Sequence, residues 1–265
     1  MTDDYRSVSQ VTQYERCPYS YHLQRRLRVW EKPAAWTAQG TAFHAAIEAY
    51  ERGEAADVEE MKDVFREVYA REINRMTETT PNMAFWFDSR QGHGENDVRR
   101  RYDIGLRQVR DYHEWRTGKG SVDVIWVSDD GTPGVELRFD ADFQGVKVRG
   151  YIDLVLDLGG GRVHVRDAKS GNKPGEPFQL KVYGMALEQI HGVQAVTGDF
   201  WMGEKSRKHR GPHPKKPIDL TAVSADEVID RFHAVDRGIR EGRFDPKPGP
   251  NCWSCPVQTS CKYRK

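Results

Sequence analysis

Asp167-Ala168-Lys169 ends an apolar run that begins at Val163, and it sets a carboxylate and an amine two residues apart. In an extended chain that spacing places both side chains on one face. Upstream, Gly150-Tyr151-Ile152-Asp153 puts a second carboxylate inside the strongly apolar run from Tyr151 to Leu156. Charges at strand ends are ordinary, but a carboxylate in the middle of such a run is not, because an unpaired buried charge is costly. If the two runs pair across Gly159-Gly160-Gly161, Asp153 and Asp167 approach closely enough to share a divalent cation, which relieves their mutual repulsion. Lys169 then points at whatever the cation binds.

The cysteines form a second chemical feature. Cys252, Cys255 and Cys261 follow a C-x2-C-x5-C spacing, and Cys17 is the only other cysteine in the chain. Three close thiolates leave the coordination of a metal centre incomplete, and Cys17 is available as the fourth. Two disulfides or four unrelated buried thiols are the plainer alternatives. The opening residues lack the basic start and apolar core of a signal peptide, and no run approaches the roughly 18 apolar residues of a membrane span. A cytoplasmic protein with no membrane association is therefore expected, and in a reducing compartment a C-x2-C spacing reads as metal binding or redox chemistry before it reads as a disulfide.

A chain of 265 residues with 37% hydrophobic content can bury one substantial core. Its 41 Lys and Arg balance 40 Asp and Glu, so net charge argues neither for nor against nucleic acid. Helical patterns are expected from Ser9, as a cap, to before Pro18, from Pro18 to about Arg28, from Ala38 to Tyr50, and at about 57–76 and 97–116. After Gly120 the pattern changes to strands at 122–127, 135–143, 146–158 and 163–168. A helix over 176–190, a strand over 195–202 and a helix over 224–241 follow. The expected organisation is one domain over 1–265, with a helical lobe (1–118), a catalytic sheet and helix (119–203), a basic loop (204–217), and a closing helix with the cysteine tail (218–265). No internal repeat is visible.

Two helical pairs complete the set. His44 and Glu48, and Gln179 and Tyr183, each lie one turn apart on a common face. Alone, each pair fits an ordinary amphipathic helix. In order along the chain, however, the Gly40-x3-His44-x3-Glu48 helix, the Gly150-x2-Asp153 strand, the Asp167-x-Lys169 strand end and the Gln179-x3-Tyr183 helix resemble the RecB-type branch of the PD-(D/E)XK nucleases. One cysteine before this core and C-x2-C-x5-C after it resemble the iron-sulfur exonucleases of that branch, which include CRISPR-associated RecB-like proteins, AddB-type nuclease domains and phage relatives. The opening Ser7-Val-Ser-Gln-Val-Thr-Gln-Tyr-Glu-Arg-Cys17-Pro-Tyr is similar to that group's first helix and cysteine.

The resemblance implies an α/β fold with a restriction-endonuclease-like αβββαβ core around a central mixed sheet, an N-terminal helical lobe and a C-terminal iron-sulfur tail. It implies that His44, Asp153, Asp167 and the Ala168 carbonyl ligate Mg2+ or Mn2+, with Glu48 and Glu136 supporting them. Lys169 would orient the attacking water or steady charge on the phosphate, while Gln179 and Tyr183 position the strand. Cys17, Cys252, Cys255 and Cys261 would hold a 4Fe-4S cluster. The implied activity is metal-dependent DNA exonuclease action, preferring single strands, beside a helicase, recombination or CRISPR-adaptation partner. A DNA-processing subunit with minor nuclease activity and a zinc-stapled interaction protein are the alternatives. Two features depart from the pattern: Ala168 stands where this branch often carries an aromatic, and the helices at 57–116 match nothing in it. Gly198-Asp-Phe-Trp-Met-Gly203-Glu-Lys205-Ser206 has its lysine displaced by one residue and fails as a phosphate-binding loop for a motor.

Lys205, Arg207, Lys208 and Arg210 crowd one Gly- and Pro-bearing stretch, a pattern that usually marks a solvated loop and that could border a DNA channel. If they contact phosphates, neutralising all four should flatten the dependence of single-strand binding on salt, each lost contact removing about 0.7 from the slope of log K against log salt. Titrations of a labelled oligonucleotide at graded salt check this, and an unchanged slope would place the loop away from the nucleic acid.

Overall fold

The structure, a computed structural model, describes residues 5–88, 93–203 and 214–264, so Lys205, Arg207, Lys208 and Arg210 lie outside the described residues. The chain opens with a short strand β1 (Tyr5–Arg6), then helices α1 (Val8–Arg16) and α2 (Pro18–Tyr21), the latter running into a π-helical turn at His22–Arg26. Ser7, not Ser9, caps α1: its hydroxyl accepts from the Gln10 amide at 3.3 Å. Pro18 occupies the first turn of α2, where its missing amide hydrogen is no loss, and Cys17 caps that helix through its sulfur. Helices α3 (Ala35–Glu51), α4 (Val58–Thr79) and α5 (Gly94–Thr117) make the helical lobe. Asp57 caps α4 by accepting from the amides of Glu59 and Glu60.

Strands β2 (Val135–Phe143), β3 (Val146–Asp157) and β4 (Arg162–Lys169) form an antiparallel meander, helix α6 (Pro177–His191) crosses over, and β5 (Gln194–Met202) returns parallel to β4. A two-residue strand β6 (Ile218–Asp219) pairs antiparallel with β5, and helix α7 (Ala225–Arg240) precedes the cysteine tail. With α4 and α5 inserted after α3, the order from α3 to β5 is αβββαβ around a mixed sheet. The turns follow from glycine. Gly159, Gly160 and Gly161 all hold positive φ between β3 and β4, a run of left-handed residues that other side chains resist.

One sequence-derived strand does not form. Residues 122–127 make only isolated bridges, Ile125 to Leu156 and Val127 to Pro133, and Val122, Val124 and Val127 are exposed. Ile125 and Trp126 pack against the two cores and the Trp126 amide donates to the Val155 carbonyl at 2.9 Å, but Pro133 offers no amide hydrogen to extend the pairing into a strand.

The sheet is packed on both faces. On one lie α1, α6 and α7, with Phe139, Val148, Ile152, Val165, Leu180 and Phe232 among the buried residues. On the other, α3, α4 and α5 bring Ala42, Phe43, Phe65 and Tyr112 against Leu154, Ala168 and Trp201. The helices at 57–116, which match nothing in the branch the sequence resembles, thus help form one wall of the core.

Candidate active site

β2 runs along one side of β3 from Val146 to Leu154, so β1 and β4 must share the other side. β1 takes the opening residues Lys147 and Val148, and β4 takes Leu154 to Asp157. Beyond the pair Leu154–Arg166 the two long strands part, and Asp153 and Asp167 stand at the fork. The Ala168 amide, which has no backbone acceptor in β3, donates to Asp153 Oδ2 at 2.8 Å.

Helix α3 brings His44 to this fork. Its Nδ1 lies 3.4 Å from Asp153 Oδ2 and 3.4 Å from Glu136 Oε1. Glu136, the residue of β2 facing the fork, holds φ 43°, a left-handed conformation that a non-glycine residue keeps only when its surroundings require it. Candidate ligand atoms of His44, Glu136 and Asp153 all lie within 4.8 Å of one another, and among the described residues no other three His, Cys, Asp or Glu do so. An imidazole and two carboxylates fit Mn2+ or Mg2+. Glu136, expected to support the ligands, lies as close to His44 as Asp153 does. Glu48, one turn beyond His44, is instead ion-paired with Arg52 at 3.1 Å.

Asp167 is differently engaged. Its Oδ2 is 2.6 Å from Lys169 Nζ, and its Oδ1 accepts from Gln179 Nε2 at 2.6 Å and from the Tyr183 hydroxyl at 3.4 Å. Gln179 in turn accepts from Lys169 at 3.2 Å and donates to the Tyr183 oxygen at 2.7 Å. The residues expected to act together are thus brought together, but in two linked groups: the trio at the fork, and Asp167 with Lys169, Gln179 and Tyr183. Ala168, between Asp167 and Lys169, is buried.

Other residues brace this arrangement. A Cβ at Gly150 would sit 2.7 Å from the Phe139 ring, so the glycine leaves room for Phe139 to lie across β3 and meet Tyr183 edge-on at 6.2 Å. On the opposite side, Gln108 of α5 donates to the Ser170 carbonyl at 2.7 Å, accepts from Gln39 of α3 at 2.7 Å, and Gln39 accepts from Arg101 at 3.2 Å. The Lys169 carbonyl accepts from the Gly203 amide at 2.8 Å. Sequence reading missed Gln39, Gln108 and Arg101; contacts between glutamines far apart along the chain leave no local pattern to find.

Burial depresses the His44 pKa, but Asp153, Glu136 and Asp167 overcome it and hold the imidazole near about 9. Burial is also the main influence on Asp153, and with repulsion from Asp167 and Glu136 it outweighs the attraction of His44 and raises that carboxyl to about 7. Asp167 is raised by burial against the opposing pull of Lys169. Carboxylates crowded into a dry fork resist sharing negative charge, and a cation relieves that resistance.

The four thiols are free and line one cavity of about 60 Å3, together with Arg16, Lys247 and Arg264. Cys17 Sγ accepts from the Ser20 and Lys247 amides at 3.4 and 3.5 Å, and Cys252 Sγ from the Gly249 amide at 3.3 Å. Cys255 Sγ lies 3.5 Å from the Ser20 hydroxyl.

The αβββαβ sheet with its acid fork defines a class, and the chain belongs to it: a model of the PD-(D/E)XK nuclease superfamily matches residues 5–262. Its relatives include "Gene 69 protein" of Mycobacterium phage D29, 45% identical over 266 residues spanning 98% of this chain and 97% of that protein. "Gene 69 protein" of Mycobacterium phage L5 is 40% identical over 286 residues, with the same shares. A solved chain described as "Crystal structure of SSO0001" covers 100% of this chain and 89% of its own at 12% identity and a TM-score of 0.39, a likeness too slight to carry an argument. Membership makes the protein a nuclease of a metal-dependent class. Among the described residues no helix is long and apolar enough to cross a membrane.

Asp153 couples metal binding to stability. Its folded pKa of about 7 stands above the ordinary 3.8, so the folded protein holds that proton more tightly than the unfolded chain does. The ionisation penalty is absent below about pH 4 and fully present above about 7. Asp153→Asn should therefore raise the metal-free melting temperature by several degrees at pH 8 and leave it unchanged near pH 4. It should also abolish the rise that Mn2+ gives the parent at pH 8. Scanning calorimetry at the two pH values, with and without Mn2+, checks both halves.

Proposed function

We propose that this protein is a divalent-metal-dependent deoxyribonuclease of the RecB-like iron-sulfur branch, removing nucleotides from single-stranded ends. The observation that carries the reading is the trio of His44, Glu136 and Asp153 set against the Asp167–Lys169–Gln179–Tyr183 network. A divalent cation held by the trio, with Asp167 and the Ala168 carbonyl beside it, would supply Lewis acidity toward the phosphate and make water a better nucleophile. The side chains do the rest. Lys169, still partly exposed beside Asp167, offers its ammonium to a nonbridging phosphate oxygen, where negative charge grows as the phosphodiester is attacked. Gln179 grips Lys169 and Asp167 at once, which fixes the direction of that ammonium. Tyr183 keeps the Gln179 amide from rotating. As water bonds to phosphorus it gives up a proton to solvent, the phosphorus–oxygen ester bond breaks with its electron pair on the departing oxygen, and that oxygen takes up a proton from solvent.

A cleft of about 530 Å3 leads to Lys169, Gln179 and Tyr183. That size lies in the range of pockets for small ligands, roughly 300 to 1,000 Å3, which favours one strand over a duplex. The thiol cavity favours a multi-iron cluster over zinc. No three thiols lie within 4.8 Å of one another, whereas a tetrahedral zinc bonded at about 2.3 Å would bring its sulfurs within about 3.8 Å. Amide hydrogens directed at Cys17 and Cys252 suit thiolates of a 4Fe-4S cluster. Such a cluster would clasp segments 235 positions apart (252 minus 17), a closure worth on the order of 5 kcal/mol for a flexible chain. We read the chain as one cytoplasmic nuclease domain over 1–265, working with a partner that exposes single strands in recombination or CRISPR adaptation.

End-labelled single-stranded DNA incubated with Mg2+, Mn2+ or EDTA tests the activity. Asp153→Ala, Asp167→Ala and Lys169→Ala should each lower turnover about a hundredfold or more while leaving the fold intact. Full activity in Asp153→Ala would overturn the assignment, and the defect of His44→Ala should shrink as Mn2+ is raised.

The cluster has its own test. Cys255→Ser should bleach the brown colour of the purified protein and lower its melting temperature. A variant that stays brown removes Cys255 from the ligands, and one that bleaches without losing stability refutes the clasp.

A further inference from the structure

The cleft that reaches Lys169 is also lined by Tyr151 and Arg149 of β3. Tyr151 lies two residues before Asp153, and 53% of its surface is exposed although its strand neighbour Ile152 is fully buried. Among the described residues, no hydrogen bond, ion pair or ring contact engages its side chain. Arg149, by contrast, is fixed: its guanidinium stacks 3.8 Å from the Tyr5 ring and its Nε lies 2.5 Å from Asp140. The cleft therefore presents a held cation, an unclaimed aromatic ring and a second cation at Lys169.

A single nucleic-acid strand offers matching chemistry, since its phosphates alternate with bases whose faces are bare. In a duplex those faces are covered by stacking. We propose that Tyr151 is the stacking platform for a base of the single strand next to the phosphate that Lys169 engages, and that it thereby sets the preference for unpaired substrate. The inference rests on the nuclease reading of the same site. It assigns Tyr151 a part in substrate binding and none in the bond-breaking step, because among the described residues no hydrogen bond joins its hydroxyl to the acid trio or the Lys169 network.

Single-stranded oligonucleotides, intact or carrying one abasic position near the end, separate the possibilities when cleaved by the parent, Tyr151→Phe and Tyr151→Ala in Mn2+. Stacking losses of the usual size predict that Tyr151→Ala raises KM for the intact strand about tenfold with kcat within about twofold. Tyr151→Phe should match the parent. The abasic position that weakens the parent should cost Tyr151→Ala nothing further, because the ring and the base it covers form one interaction. An unchanged KM in Tyr151→Ala, a Tyr151→Phe as weak as Tyr151→Ala, or additive losses would each overturn the platform. Failure of the parent to cleave any DNA would sink the nuclease reading instead. The same oligonucleotides, compared by affinity in Ca2+, would then decide on Tyr151 alone by the same pattern.

Discussion

The parting of β3 from β4 after Leu154–Arg166 is the constraint on which the site depends. A sheet that continued its pairing would bury the Ala168 amide against backbone and press Asp153 onto Asp167. Here the Asp153 carboxylate itself takes that amide hydrogen, so the acid completes the strand's hydrogen bonding and is aimed into the fork by the same contact. Glu136 on the far side of β3 adopts its left-handed backbone at the same level. The irregularity in both strands sits where three acids and an imidazole must meet, and surrounding structure has to hold it.

Alternation along β4 supplies much of that hold. While Asp167 faces α6, Arg166 turns to the other side of the sheet and is buried there, pairing with both oxygens of Asp199 at 2.7 and 2.9 Å. It also meets Asp123 at 2.5 Å and lies over Trp115 at 4.8 Å. The neighbouring His164 donates to or accepts from Thr197 at 2.9 Å and lies 3.1 Å from Asp199. A bidentate pair of this kind fixes orientation as well as charge. β4 is thus pinned by ionic contacts on one face and carries Asp167 on the other, with Gln108 clamping the residue that follows Lys169.

The core order was legible because each element carried a local signal: period-two apolar runs, a triple glycine between them, and prolines and acids at helix starts. The β3–β4 hairpin that carries Asp153 and Asp167 also followed from the sequence, since the triple glycine marks the turn between them. Three things were not legible. The strand expected at 122–127 shrank to isolated bridges because its β-branched composition does not reveal that the residue facing Val127 is Pro133. The place of Glu136 at the fork depends on a backbone twist in β2, where a glutamate among alternating residues looks like any solvent-facing side chain. The task of α5, which reaches the site through Gln108 and Gln39, rests on contacts across more than 60 positions.

The thiol cavity draws one side from Cys17 and the other from Cys252, Cys255 and Cys261. During synthesis the ribosome finishes Lys169 a full 92 residues before it reaches Cys261 (261 minus 169). The strands that carry the acids can therefore emerge and pair while the cavity is still half made. Cys261 is the last of the four thiols to be made, so the wall that faces Cys17 is completed only after the acid-bearing strands exist.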